Sequence, residues 1–296
     1  LPATSGSLAL PGIEALSGLV LFDFQDVQNS ILPVRLNLPS RRCRGGKFFW
    51  GRRSRLTVST CIFCGSDGPF ASVSHIVPES LVGSNGPVAA GQTTCDPCNH
   101  YFGQKVESAA LSTFPFNHFR LFSSIPSKKG RLFSMPTTAG MIAAAGRPGQ
   151  LELKEPTEKA LAFIGRSETG QFRLLAEVTE PLAVARMLIK VGIETLAKHH
   201  DALARSARFA AAREFCRRPR RGQRWWFAIQ TEASAMFMPR THTEAAGEID
   251  VGEAQGCAYC AVRLLGLAAF TPLEPNAQPM GFDPEDPTLR LCWAIC

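Results

Sequence analysis

Two Cys-x-x-Cys pairs, Cys61/Cys64 and Cys95/Cys98, stand about thirty residues apart and can supply four thiolates to one tetrahedral zinc ion. Four protein ligands close the coordination shell, so such a zinc is structural. It staples a segment too short to hold itself together by apolar burial. A redox reading explains one pair and leaves the other idle. The chain has ten cysteines, enough for disulfides, but paired spacing within one short segment is metal-ligand spacing, which points to a reducing compartment and a cytoplasmic protein. Between the pairs lies Ser74-His75-Ile76-Val77-Pro78-Glu79-Ser80, and Asn99 directly follows the last cysteine. Zinc at the second pair would fix a helix start against the hairpin that bears His75. An imidazole and an amide carbonyl would then be held near one point in space, on rigid supports.

Those supports are legible locally. Asp96 is a capping residue and Pro97 suits the first helical position, so the second pair opens a helix with Cys98 and Asn99 in its first turn. Residues 58–125 hold this module and close with Phe114, Phe116, Phe119 and Phe122, an aromatic run suited to docking on a neighbouring core. Residues 1–57 form a basic N-terminal extension, with one strand expected at Gly18–Phe24. Residues 126–296 read as a mixed α/β domain of unassigned role. There, Arg131–Ala145 and Gln150–Lys154 bracket a Gly-Arg-Pro-Gly turn and predict a hairpin. Pro181–His199 carries Leu182, Val184, Met187, Leu188, Val191, Ile193 and Leu196 at helical spacing. A second helix is predicted over Ala202–Cys216, and strands over Gln171–Val178, Trp225–Thr231, Ala235–Met238 and Ala258–Ala269.

In its motif residues the segment resembles the four-cysteine branch of the HNH endonucleases: Cys-x-x-Cys, then His-Ile-x-Pro-x-Ser-Leu, then Cys-x-x-Cys-Asn-x-x-x-Gly. The resemblance covers about fifty residues of the 296. It implies an α+β chain in which a ββα-metal (HNH) zinc module precedes the mixed C-terminal domain. By match, His75 takes the place of the general base and Asn99 that of a ligand to a catalytic Mg2+ or Mn2+, distinct from the structural Zn2+. The implied activity is hydrolysis of DNA phosphodiester bonds, and the motif does not exclude RNA. In such chemistry a neutral imidazole takes a proton from the attacking water, and the ion stabilises the charge at phosphorus. Two positions depart from the family pattern. The residue before the motif His is commonly an acid that binds metal, and here it is Ser74. The middle Asn or His, which orients the base, has no clear counterpart; Asn85 and Gln92 are the candidates. A zinc-stabilised nucleic-acid-binding protein without catalysis is therefore the alternative reading.

Glu107 lies eight residues beyond Asn99, about 12 Å along the axis, too far to share its ion. It reads as a salt-bridge partner for a nearby Lys or Arg, Glu79 as solvent-facing, and Gly103 as the site of close helix packing. The net charge of +7 suits an anionic partner. No acid occurs from Val27 to Ser66, where eight basic residues include Arg52, Arg53 and Arg55. A second cluster, with Arg217, Arg218, Arg220, Arg221 and Arg224, runs into Trp225 and Trp226. Such clusters bind phosphates or form a solvated face, and the aromatics beside them stack on bases or pack. Cys257 and Cys260 read as buried thiols or, with Cys292 and Cys296, as a second zinc site; Cys43 and Cys216 read as isolated thiols. No stretch is long and apolar enough to span a bilayer. Leu1–Phe22 lacks the basic start of a signal peptide. Oligomeric state is not legible.

Overall fold

Between the cysteine pairs the chain makes little regular structure. It has one short helix, α1 (Glu79–Val82), and a single antiparallel bridge between His75 and Val88. The computed structural model describes residues 60–127, 129–158, 177–231, 247–264, 266–279, 286 and 288–296. The strands expected at Gly18–Phe24 and Ala235–Met238, most of that at Gln171–Val178, Cys43, and Arg52, Arg53 and Arg55 lie outside those residues. The bridge is closed by Ala89 N–H donating to Ser74 O (2.8 Å) and Ile76 N–H donating to Pro87 O (2.9 Å).

The second cysteine pair starts a helix, α2, which runs as Asp96–Tyr101, widens into a π-helical stretch at Phe102–Glu107, and ends with Ser108–Ala110. Pro97 sits in its first turn, where a missing N–H costs nothing. Its N-cap residue is Cys95, not Asp96. The Asp96 carboxylate instead accepts hydrogen bonds from Ala71 N–H (3.1 Å), Ser72 N–H (2.8 Å) and the Ser72 hydroxyl (2.6 Å), clamping the loop that leads to His75. Close packing at Gly103 is not found: the residue is exposed, and a Cβ there would meet no atom within 4 Å.

After α3 (Phe116–Ser123) the chain forms an antiparallel meander of β1 (Ser134–Thr137), β2 (Gly140–Ala144) and β3 (Leu151–Lys154), with the expected turn between β2 and β3. The long predicted helix is α4 (Pro181–Ala204), opened by Pro181 and kinked at His200. The second predicted helix begins later than expected. Ala202–Ala204 still belong to α4, Ser206 is extended, and a 3-10 turn (Ala207–Phe209) leads into α5 (Ala210–Arg217). Five antiparallel strands follow: β4 (Arg224–Thr231), β5 (Glu248–Ala254), β6 (Cys257–Leu264), β7 (Leu267–Pro272) and β8 (Leu289–Ile295), in the order β5-β6-β7-β4-β8. The single strand predicted over Ala258–Ala269 is two, because Gly266 turns the chain back with φ +72°. The chain is thus α+β.

Helix α4 is buried nearly all round, with the sheet on one side and α2 on the other. Gly192 permits the approach to the sheet: a Cβ there would lie 2.7 Å from Leu273 Cδ2 and 2.8 Å from Cys260 Cβ. One continuous apolar core joins Phe102 and Val106 of α2 to Met187 and Leu188 of α4 and to Phe227 of β4. Strand order excludes the second zinc site. Cys260 on β6 and Cys292 on β8 are separated by β7 and β4, about 14 Å at ordinary strand spacing. Cys260 is buried, and that burial pushes its thiol up to about 12. Among the described residues no helix is long and apolar enough to cross a membrane.

Candidate active site

The four expected zinc ligands come together. The Sγ atoms of Cys61, Cys64, Cys95 and Cys98 all lie within 4.8 Å of one another, with Cys64 and Cys95 3.5 Å apart. Tetrahedral zinc with Zn–S bonds of about 2.3 Å needs sulfur separations of about 3.8 Å, so the cluster fits the ion. The first pair turns on Gly65, whose φ of +72° suits a residue without a Cβ, as its N–H returns to Cys61 O (2.8 Å). Ile62 N–H donates to Thr93 O (2.9 Å) and ties that turn to the second pair. The thiols share protons unequally. Cys61 is lowered to about 4, chiefly because Cys98 donates to it, whereas burial raises Cys95 to about 11. A cation at the cluster's edge was not foreseen from sequence: Arg217, the last residue of α5, donates from Nε to Cys98 Sγ at 3.1 Å.

His75 follows this staple on the bridged segment. Its Nε2 lies 3.6 Å from Glu79 Oε2, with the side chains 21% and 23% exposed. Glu79 therefore turns back toward the imidazole instead of facing solvent as expected, because α1 begins directly after Pro78. Asn85 and Gln92, the sequence candidates for orienting the base, are both exposed, and no hydrogen bond among the described residues joins either to His75. His75 Nδ1 is a buried atom with no hydrogen-bond partner among the described residues. Such an atom is either a cost of folding or a group reserved for a reaction.

Asn99, in the first turn of α2, donates from Nδ2 to Ser72 Oγ (3.1 Å) and to Val73 O (3.2 Å). With both amide protons engaged, its carbonyl oxygen is the free end. The residue lines an open pocket of about 480 Å3 with Ala71, Ser72, Asp96 and His100. Carboxylate and amide oxygens in an open pocket are the donors a hard, largely hydrated cation accepts. Hydrogen bonds from Ser72 and Ala71 hold the Asp96 carboxyl below its usual range.

Ser74 faces the other way. It is buried, and its hydroxyl donates to Glu194 Oε1 on α4 (2.9 Å), as does Thr94 (2.6 Å). Glu194 Oε2 pairs with Lys190 (3.1 Å), and Lys190 also pairs with Glu107 (2.7 Å), which is the salt bridge expected for Glu107. Arg186, one turn earlier, donates to Tyr101 Oη (2.7 Å) and to the carbonyls of Cys216 (2.8 Å) and Arg217 (3.0 Å). Arg186, Lys190 and Glu194 thus form a buried polar stripe at four-residue spacing that faces the zinc module. That spacing within an apolar helix is the sequence signal that could have exposed it.

Of the basic cluster, Arg218, Arg220, Arg221 and Arg224 are exposed, and Arg220 pairs with Glu214. Trp225 and Trp226 are buried in the sheet, with indole N–H bonds to Pro272 O and Ala277 O, so they pack and do not stack on bases.

Residues 61–115 match the HNH endonuclease family. The chain therefore carries an HNH endonuclease domain in which Cys61, Cys64, Cys95 and Cys98 cluster. No curated protein and no solved structure matches the chain.

Proposed function

We propose that this protein is a metal-dependent endonuclease that hydrolyses DNA phosphodiester bonds, with His75 as its general base. The carrying observation is the match to the HNH endonucleases over the span that holds His75 and Asn99. The antiparallel His75–Val88 bridge, which encloses α1 and precedes α2, supports a ββα-metal arrangement, with Zn2+ on the four cysteines as its staple. Glu79, 3.6 Å from Nε2, would favour a proton on that nitrogen, and the buried Nδ1 would then be the lone pair that takes the proton once water reaches it. The same carboxylate then stabilises the imidazolium that forms. Asn99 offers its carbonyl oxygen to a Mg2+ or Mn2+ ion and Asp96 adds a carboxylate on the same helix face. When bound, that ion would stabilise the negative charge that builds on the phosphoryl oxygens and on the leaving 3′-oxygen. Arg218, Arg221 and Arg224, with Arg220, offer sequence-independent phosphate contacts, and Arg52, Arg53 and Arg55 would add to them. Four unpaired thiols at one site suit the reducing cytoplasm.

One observation favours the alternative of nucleic-acid binding without catalysis. The position where the family commonly has an acid is Ser74, which is turned into the core and bonded to Glu194. Plasmid incubated with Mg2+ or Mn2+ and either wild type or His75→Ala separates the two readings. The nuclease reading expects nicking by wild type and a loss of at least a hundredfold in the variant, with DNA binding retained. Binding by both proteins without nicking by either establishes the alternative.

A further inference from the structure

Antiparallel pairing leaves the two backbone groups of His75 unused by its own bridge. The hydrogen bonds that close the bridge belong to Ser74 and Ile76, so the N–H and C=O of His75 point away from Val88. An edge carbonyl of this kind normally meets water. Here it meets an ammonium, since Lys190 Nζ donates to His75 O at 2.5 Å, across 115 residues of sequence. The same ammonium reaches Glu107 Oε1 at 2.7 Å and Glu194 Oε2 at 3.1 Å. The ammonium thus has three oxygen partners, one by hydrogen bond and two by ion pairing. One comes from the segment bearing His75, one from the helix bearing Asn99, and one from α4 itself. Glu194 completes the arrangement by accepting the hydroxyls of Ser74 and Thr94, which precede His75 and Cys95.

We propose that Lys190, braced by Glu194 and Glu107, is the positioning residue that fixes His75 relative to α2, so that α4 is a working part of the nuclease centre. The proposal rests on the nuclease reading for its function, though the geometry it describes does not. Stability alone is a poor reason for the cluster. Lys190 and Glu194 are fully buried, and replacing a buried ion pair with apolar groups of similar volume is often neutral or stabilising. An apolar side chain would suit the neighbours of Lys190 on α4, Met187, Leu188, Ile189 and Val191, but it could not donate to the carbonyl of the base. Burial alone would lower the lysine's pKa, yet the charges and hydrogen bonds of Glu194 and Glu107 outweigh it and raise it above the usual range. That direction favours the ammonium form of the donor.

The test uses the full zinc-loaded chain. Lys190→Met alone strands the buried Glu194 carboxylate, so the informative variant is Lys190→Met with Glu194→Gln, which removes both charges and keeps acceptors for Ser74 and Thr94. Zinc content and thermal melting establish that it is folded. Nicking kinetics should then show kcat lowered on the order of tenfold to a hundredfold, the scale of a misplaced catalytic group, with KM and DNA affinity unchanged. The 13C-labelled imidazole resonance of His75, assigned by its absence from His75→Ala, should shift or split in the variant. A folded double variant with wild-type kcat and an unmoved His75 resonance overturns the proposal. If the double variant does not fold, Glu107→Ala decides the point: it removes the carboxylate at a part-exposed side chain, and a His75 resonance that does not move there refutes the brace. If wild type itself never nicks DNA, the nuclease reading has failed, and the resonance still reports whether Lys190 positions His75.

Discussion

At the scale of single residues, Ser74 explains its own departure from the family pattern. Its side chain ends 2.9 Å from a buried carboxylate oxygen of Glu194, so an acid here would put two carboxylates together out of water. Ser74→Ala removes one hydrogen bond to a charged group and should cost about 1.5–3 kcal/mol. Ser74→Asp introduces an unpaired buried charge and should cost about 3–5 kcal/mol. Urea denaturation of the three zinc-loaded proteins gives the order directly. If Ser74→Asp matches wild type, the pocket around Glu194 is not the closed site described. The roles of Glu79 and Lys190 were not legible at this scale. An i,i+4 contact across Pro78 depends on where α1 starts, and the contact of Lys190 with the His75 carbonyl spans 115 residues of sequence. Cysteine spacing, by contrast, carries its geometry locally, and the ligand set could be read directly.

At the scale of elements, each helix end near the module has a function that packing assigns and pattern does not. The periodicity of α4 was plain in sequence, yet its polar stripe was not recognised, because charged residues on a helix are ordinarily solvated. Helix α5 delivers Arg217 to Cys98. A zinc bound by four thiolates carries a net charge of −2, which the guanidinium offsets. Arg217→Met should therefore weaken zinc binding about tenfold to a hundredfold, the usual cost of removing such a supporting group. Competition with a chromophoric chelator measures it, and unchanged affinity would show that the contact is incidental. Helix α3 holds His118 between Phe114 and Phe122, at ring-centroid distances of 5.2 and 6.5 Å. Burial, aided by the charge of Arg290, lowers this imidazole from 6.5 to about 4. Between those values the unfolded chain binds the proton and the folded chain does not, so stability is lost as the pH falls from 6.5 toward 4. The full loss from this one group is about 3 kcal/mol. His118→Phe should remove that portion of the acid sensitivity, visible as a converging difference between the two denaturation curves over this window.

At the scale of the whole molecule, α4 packs against both α2 of the four-cysteine module and the five-stranded sheet, and one apolar core runs through all three. The class of the chain was readable in sequence because helix and strand periods are local. The order β5-β6-β7-β4-β8 was not, since it depends on pairings such as Phe227 with Cys292, and the turn at Gly266 was hidden inside an apolar run. The same long-range packing fixes where phosphate can bind. The α5–β4 connection follows Arg217, which donates to Cys98 of the cysteine cluster, and the exposed Arg218, Arg221 and Arg224 follow it along the chain. If DNA lies along them, replacing all three with Gln should weaken binding for every sequence alike. It should also make the plot of log affinity against log salt shallower by roughly 0.9 for each phosphate no longer neutralised, or about 2–3 in all. Fluorescence anisotropy of a labelled duplex across a salt series provides both numbers. Weaker binding with an unchanged slope would mean that the arginines act through folding, and the phosphate path would have to run elsewhere.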